Sequence, residues 1–159
     1  MQTVNPTREQ GEAFARSAPD DKAIVMVNLL RFRERADYGE PGGGAVSGRK
    51  AYDRYSKAVL PMLWEVGGQI LWMGKVRTSL ILPDGEAWDE VLLVHYPSRA
   101  AFLRMVQSAP YQAIMKHRTA ALLDARLIEA RTEALPRWML AVARGATRLK
   151  ALVIPGIPR

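Results

Sequence analysis

The chain has 159 residues, 48% of them hydrophobic, which is enough for one globular domain with its own core. It contains no cysteine, which excludes disulfides, cysteine nucleophiles and cysteine-ligated zinc or iron–sulfur sites. The net charge of +7 bears on association and not on fold, and residues 132–159 contribute +4 of it, from five basic residues against one acidic residue.

No part of the sequence is typical of a membrane span or of a targeting segment. The N-terminus lacks the apolar core of a signal peptide, and no apolar run approaches the roughly 18 residues of a membrane helix. The sequence therefore predicts a soluble, cytoplasmic protein. The segment 132–159 mixes apolar and basic residues, as membrane-bound amphipathic helices do, but Gly145 weakens such a helix, and packing on the protein itself is favoured.

The first third of the chain predicts a helix, a strand and a long loop. Thr7–Ser17 follows Pro6 and has the pattern of a short helix. Ala23–Phe32 is dense in apolar and β-branched residues and predicts a strand. Arg33–Gly48 contains GEPGGG, whose glycines predict a flexible polar loop.

A long helix is predicted next. Ser47 is a good N-cap, apolar and tyrosine side chains recur at helical spacing on one face, and Gly67 with Gly68 ends the pattern. Pro61 lies inside this helix and has no backbone N–H to donate. We therefore expect a kink or a break near Lys57–Pro61.

The remaining elements are two strands, an interrupted helix and a last strand. Gln69–Arg77 predicts a strand, with an extension through Leu80–Leu82 as the alternative, and Trp88–Tyr96 predicts the next one. A helix then starts at Ser98, breaks at Pro110 and restarts over Tyr111–Leu122. The last strand is predicted at Asp124–Ala130.

This order of elements predicts an α+β, ferredoxin-like βαββαβ fold, with one domain over residues 1–131, a core at 23–130 and an extension at 132–159. We interpret the first and third strands as a parallel central pair, which would bring Asn28–Phe32 close to His95 and Tyr96. Both strands are apolar on both faces, although helices cover only one face. A second copy of the sheet is the expected cover, so a homodimer is predicted, and the alternative is the N-terminal helix or the tail.

Four segments resemble the domain-of-unknown-function family 1330 (DUF1330), of the dimeric α/β-barrel superfamily. They are VMVNLLRF, SGRKAYDRYSKAVLPMLWEVGGQILWMGKV, WDEVLLVHYPSRAAFLRMVQSAPYQAI and RTAALLDARLIEA, within Ala23–Ala130. The resemblance implies two ferredoxin-like protomers packed sheet to sheet. It implies no particular reaction, because the superfamily includes cofactor-independent monooxygenases, lactone isomerases, haem-degrading enzymes and proteins that only bind small molecules.

Three polar residues on the predicted central strands are candidates for a site. Asn28 interrupts an apolar strand, either as a hydrogen-bonding group in a cavity or as a satisfied internal amide. Arg31, with two helix N-termini predicted nearby, favours an anion, and the alternative is an ion pair with Glu34, Asp37 or Glu90. His95 is the first candidate for proton transfer, against a structural role at a strand end.

Aromatic residues and the second histidine complete the candidates. Tyr52 and Tyr55 lie on the buried face of the long helix and either line a pocket or pack in the core. Trp72 is a possible stacking surface for a ligand, or else part of the core or of the dimer interface. His117 is a second candidate catalytic residue.

Other classes of site are disfavoured. Two histidines without metal-ligand spacing predict no metal site, and no cofactor is predicted. The third strand lacks the aromatic motif of RNA-recognition domains, and GEPGGG lacks the ending of a phosphate-binding loop. The sequence therefore predicts a small organic acid or aromatic bound between sheet and helices, with a cofactor-independent monooxygenase or isomerase, or a dimer without ligand, as alternatives.

Overall fold

A computed structural model describes residues 2–17, 22–39 and 46–131. Residues 40–45 of the glycine-rich loop and the segment 132–159 lie outside the described residues, and so do the predictions made for them. The elements in chain order are α1 (Arg8–Arg16), β1 (Ile24–Phe32), α2 (Gly48–Glu65), β2 (Gln69–Lys75), β3 (Glu90–Tyr96), α3 (Arg99–Gln107), α4 (Ala109–Ala121) and β4 (Leu122–Ala130). No helix among the described residues is long and apolar enough to span a membrane.

For most of these elements, the bounds predicted from the sequence agree with those of the structure to within two residues. Ser47 and Ser98 cap α2 and α3 with their side chains, and Ser108 separates α3 from α4 with Pro110 in the first turn of α4. A kink or a break was predicted near Lys57–Pro61, and the break is wrong, because α2 runs through Pro61 without interruption. Pro61 and Lys57 are both exposed, so water can bind the Lys57 carbonyl that loses its intrahelical donor.

The four strands form one antiparallel sheet in the order β2-β3-β1-β4. With the helices packed on it, this is the α+β, ferredoxin-like arrangement that the sequence predicts. The predicted parallel pairing of β1 with β3 is wrong. A crossover through α2 makes β2 parallel to β1, and the chain then reverses between β2 and β3, so β3 runs against β1.

The antiparallel register separates residues that a parallel pair would have brought together. Asn28 lies opposite Leu92, whereas His95 lies opposite Val25. Asn28–Phe32 therefore does not approach His95 and Tyr96. The N-termini of α2 and α3 also lie at opposite ends of the sheet, so only α2 begins near the end of β1.

The two faces of the sheet have different surroundings. The face towards the helices carries Ile24, Met26 and Leu30, which are buried in the core with side chains of α2, α3 and α4. The other face, called here the open face, is apolar but only partly buried, and Trp72 and Ile128 on it are 53% and 51% exposed. Among its members are Val25, Val27, Leu29 and Arg31 of β1, Val91, Leu93 and His95 of β3, Trp72 of β2 and Ile128 of β4.

Gly48 fixes where α2 begins. Its backbone N–H donates to the carbonyl of Arg33 at 3.1 Å, just after β1. A Cβ atom at this position would overlap the carbonyl oxygens of Arg33 and Ala121, both of which belong to the backbone. Only glycine allows the start of α2 to approach the ends of β1 and α4 this closely.

We predict that Gly48→Ala destabilises the protein by about 1–3 kcal/mol, because the added methyl group displaces two backbone segments. Gly11→Ala is the matched control, since a Cβ at Gly11 meets nothing within 4 Å and alanine favours the helix α1. Urea unfolding measures the free energy of unfolding of both variants. Equal values would contradict the close approach of Gly48 to the backbone of Arg33 and Ala121.

Candidate ligand-binding cavity

A cavity of about 900 Å³ lies between the sheet and the helices. Its walls come from the helix-facing side of the sheet, from α2, α3 and α4, and from the N-terminal segment. Much of the lining is apolar and includes Val59, Leu63, Leu92, Val94, Met105 and Val106. This volume is within the usual range for pockets that bind small organic molecules.

The residues before α1 close the cavity along the outer edge of β4. The Thr3 backbone N–H donates to Asp124 Oδ1 at 2.8 Å, and the Ala125 N–H donates to the Thr3 carbonyl at 2.7 Å. Arg118 donates to the Val4 carbonyl at 2.8 Å. The N-terminal segment is therefore a wall of the cavity and also satisfies the backbone of an edge strand.

Helix α1 continues this wall towards α3. Thr7 caps it in a reciprocal capping box with Gln10. Near its other end, the Phe14 ring meets the Phe102 ring edge to face, with centroids 5.7 Å apart, and the Arg99 guanidinium lies 5.0 Å from the Phe14 centroid. Both ends of the N-terminal segment are thus attached to the body of the domain.

Tyrosine hydroxyls supply polar groups inside the cavity. Tyr52 and Tyr55 of α2 are buried with ring centroids 5.4 Å apart, and the hydroxyls of Tyr55 and Tyr111 lie 3.1 Å from each other. The Tyr52 hydroxyl has no hydrogen-bond partner in the described part of the chain. Burial raises the pKa of Tyr52 to about 12 and raises the pKa of Tyr55 well above its ordinary value, so both are protonated near neutral pH.

Three arginines line the cavity in different electrostatic settings, and one of them, Arg126, is paired with Asp124 at 2.6 Å. Arg49 forms ion pairs with Asp53, at 3.2 Å, and with Glu90, a residue of β3 that is only 2% exposed. Arg118 of α4 is 8% exposed and donates to two neutral oxygens, the Val4 carbonyl and Asn5 Oδ1. Among the described residues no carboxylate pairs with Arg118.

Comparisons with known proteins agree with this architecture. The model of a family described as a domain of unknown function (DUF1330) matches residues 45–130, more than half of the chain. The chain belongs to the DUF1330 family. The resemblance seen in the sequence is therefore confirmed.

Solved structures include relatives of this DUF1330 protein. The crystal structure of RPA0582, a protein of unknown function from Rhodopseudomonas palustris, is 35% identical, covers 85% of this chain and all of its own, and has a TM-score of 0.76. A hydroxynitrile lyase from Passiflora edulis is 12% identical over 74% of this chain and all of its own, with a TM-score of 0.51, and shows the fold alone. No curated protein matches the chain.

Three of the residues singled out from the sequence lie together on the cavity wall: Asn28, Tyr52 and Tyr55. Asn28 Nδ2 donates to the Met26 carbonyl at 3.1 Å and to the Leu92 carbonyl at 3.4 Å. Its Oδ1 has no partner within the described ranges, so the amide is half satisfied and keeps one acceptor.

Arg31, Trp72 and His95 lie on the open face and not in the cavity. Arg31 donates to the Gly85 carbonyl at 3.3 Å, and the predicted ion pair with Glu34, Asp37 or Glu90 is absent from the described residues. His95 Nδ1 is buried without a hydrogen-bond partner among the same residues. The antiparallel register, which puts His95 far along β3 from Arg31, is the reason that they do not form one cluster.

His117 is also outside the cavity lining. The Tyr38 hydroxyl lies 2.9 Å from its Nδ1, and the two rings meet edge to face. Burial, with Lys116 and Arg54 nearby, lowers the pKa of His117. In the described ranges no three His, Asp or Glu side chains are grouped as metal ligands. The prediction that no metal or cofactor is used stays a prediction.

Sequence reasoning missed Arg118, Glu90, Tyr111 and the N-terminal wall. Tyr111 and Arg118 are seven residues apart on α4, which is two helical turns, so they share one face. That spacing was available as a signal. The contact of the N-terminal segment with β4 had no signal in the sequence, because it joins residues more than 120 positions apart.

We predict that Asp124→Ala weakens the docking of residues 3–6 by about 1–3 kcal/mol, because Asp124 accepts the Thr3 N–H. Hydrogen exchange of the N-terminal peptide measures this, with Asp84→Ala in the exposed turn as control. Exchange that is no faster than in the wild type would contradict the contact.

The same contact predicts a pH dependence. Burial alone would raise the pKa of Asp124, but hydrogen bonds from the Thr3 N–H and from Arg126 lower it overall. A lowered pKa in the docked state means that docking is strongest above the ordinary aspartate pKa of about 3.9. Docking should therefore weaken as the pH falls from about 3.9 through the lowered pKa of Asp124. Equal protection of the N-terminal amides against hydrogen exchange at pH 3 and pH 6, after correction for intrinsic rates, would contradict this.

Proposed function

We propose that this DUF1330 protein binds a small organic molecule in the cavity between the sheet and helices α2–α4. The observation that carries the proposal is the coexistence of a 900 Å³ space with mostly apolar walls and a few buried polar groups. The space opens to solvent beside the exposed side chains of Ile70, Met73 and Leu127, so a ligand can enter it.

The character of the walls supports an organic acid or an aromatic as the ligand class. Apolar side chains of α2, α3 and β3 would contact the apolar part of the ligand, while Tyr52, Tyr55 and Asn28 offer hydroxyl and amide groups. A monooxygenase or isomerase reaction is the alternative. It would need its proton-transfer group among the cavity residues, because the two candidate histidines lie elsewhere.

We predict that Val106→Trp, which places an indole in the cavity, abolishes ligand binding without unfolding the protein. Leu80→Trp is the control, since Leu80 is 96% exposed. The probes are octanoate, octan-1-ol, 4-phenylbutyrate and 4-phenylbutan-1-ol, screened by thermal shift and measured by calorimetry. The proposal fails if none of the four binds the wild type, or if Val106→Trp binds them as the wild type does.

We also propose that a second copy of the chain covers the open face, as in a dimeric α/β barrel. The face presents apolar side chains from all four strands, and a contiguous apolar surface that is left partly exposed is typical of a protein–protein contact. Helix α1 lies on the cavity side, against Phe102, and so does not cover the open face. The cytoplasmic location stays a prediction.

We predict that Leu93→Asp, in the middle of the open face, shifts the protein from twice the 17.7 kDa chain mass to a monomer. Burying the new carboxylate in a dimer interface would cost about 3 kcal/mol or more. Light scattering after size exclusion measures the mass, with Ile81→Asp as control because Ile81 is 88% exposed. A wild type that is monomeric at micromolar concentration would rule out the dimer.

A further inference from the structure

Arg118 is a buried cation whose charge lacks a carboxylate within the described residues. Arg49, on the same cavity, shows the contrast, because Asp53 and Glu90 both neutralise it. A charge taken out of water is unfavourable unless an opposite charge compensates it. The cavity is thus left with a positive charge in its wall that an anion would compensate.

The hydrogen bonds of Arg118 leave part of its guanidinium available. The Val4 carbonyl and Asn5 Oδ1 both accept from Nη1, whereas Nε and Nη2 have no partner in the ranges that the structure describes. Neither of these nitrogens is among the fully buried unpaired atoms. Since Arg118 lines the cavity, the free edge of its guanidinium is open to a ligand there.

Tyr52 supplies a second donor in the same region. Its hydroxyl makes no hydrogen bond to any described residue, and it lies close enough to Arg118 for the guanidinium to lower its pKa against the larger effect of burial. The hydroxyl remains protonated at neutral pH and is available to donate. A guanidinium with two nitrogens left to donate and a hydroxyl without an acceptor are a suitable pair for a carboxylate.

We propose that the ligand is a monoanionic carboxylic acid with an apolar body, whose carboxylate is bound by Arg118 and the Tyr52 hydroxyl. This inference rests on the proposed function, and it adds the charge of the ligand, its orientation and the residues that select it. The apolar body extends over Val59, Leu92 and Met105, which line the same cavity. Arg31, the anion-binding candidate from the sequence, has no part in this site.

The decisive experiment compares acids with alcohols of the same shape. Calorimetry at pH 7.5 measures octanoate against octan-1-ol, and 4-phenylbutyrate against 4-phenylbutan-1-ol. We expect each acid to bind at least tenfold more tightly than its alcohol. Tyr52→Phe should weaken the acids about tenfold and leave the alcohols unchanged, and Arg118→Gln should abolish the preference for the acid.

Two controls separate the anion site from indirect effects. Arg54→Gln removes an exposed arginine of α2 and should leave the preference intact. Val106→Trp fills the apolar part of the cavity without changing its charge, and it should weaken acid and alcohol alike. If Arg118→Gln does not fold, the wild-type ratio of acid to alcohol and the Tyr52→Phe variant decide the question.

The outcomes distinguish this inference from the proposed function. Acids and alcohols that bind equally, or an acid preference that survives both Arg118→Gln and Tyr52→Phe, would overturn the anion site while cavity binding stands. Failure of all four probes to bind the wild type would overturn both. An acid preference that is lost in these two variants, but kept in Arg54→Gln, supports the inference.

Discussion

The antiparallel pairing of β1 with β3 is the constraint on which the rest of the structure depends. It fixes which ends of the two central strands are neighbours, and therefore which helix N-terminus lies near which loop. Because Asn28 is opposite Leu92, the middle of the sheet contributes one amide to the cavity wall. His95 is carried to the other end of the sheet and to the other face, away from the groups with which it would have to act.

The chemistry of the cavity comes from the helices more than from the sheet. Helices α2 and α4 pack against each other, so Tyr52 and Tyr55 on one helix face Tyr111 and Arg118 on the other. Gly48 permits this arrangement, since it lets the start of α2 approach the last turn of α4. The Val4 carbonyl of the N-terminal segment then accepts a hydrogen bond from Arg118, so that one arginine both holds this segment and lines the cavity.

Local pattern was sufficient for the elements and for the fold class, because capping serines, the run of apolar residues in β1 and the helical spacing of tyrosines are properties of short segments. The site was only partly predictable. Tyr52, Tyr55 and Asn28 were identified because each is unusual in its own element. Arg31 and His95 were grouped by an assumed parallel pairing, and strand direction is decided by the connections and not by the residues of the strand. Arg118 was missed since its importance lies in the lack of an ion pair with any carboxylate of the described residues, which only the folded chain shows.

The alternation of side chains along β1 links the two proposed binding surfaces. Val27 and Leu29 point to the open face, and Asn28 between them points to the cavity, so a single stretch of backbone belongs to both. A partner sheet that packs on Val27 and Leu29 would restrict this stretch and hold the Asn28 amide in place. Ligand affinity should then be higher in the dimer than in the monomer, because dimer formation has already ordered the Asn28 amide before the ligand binds.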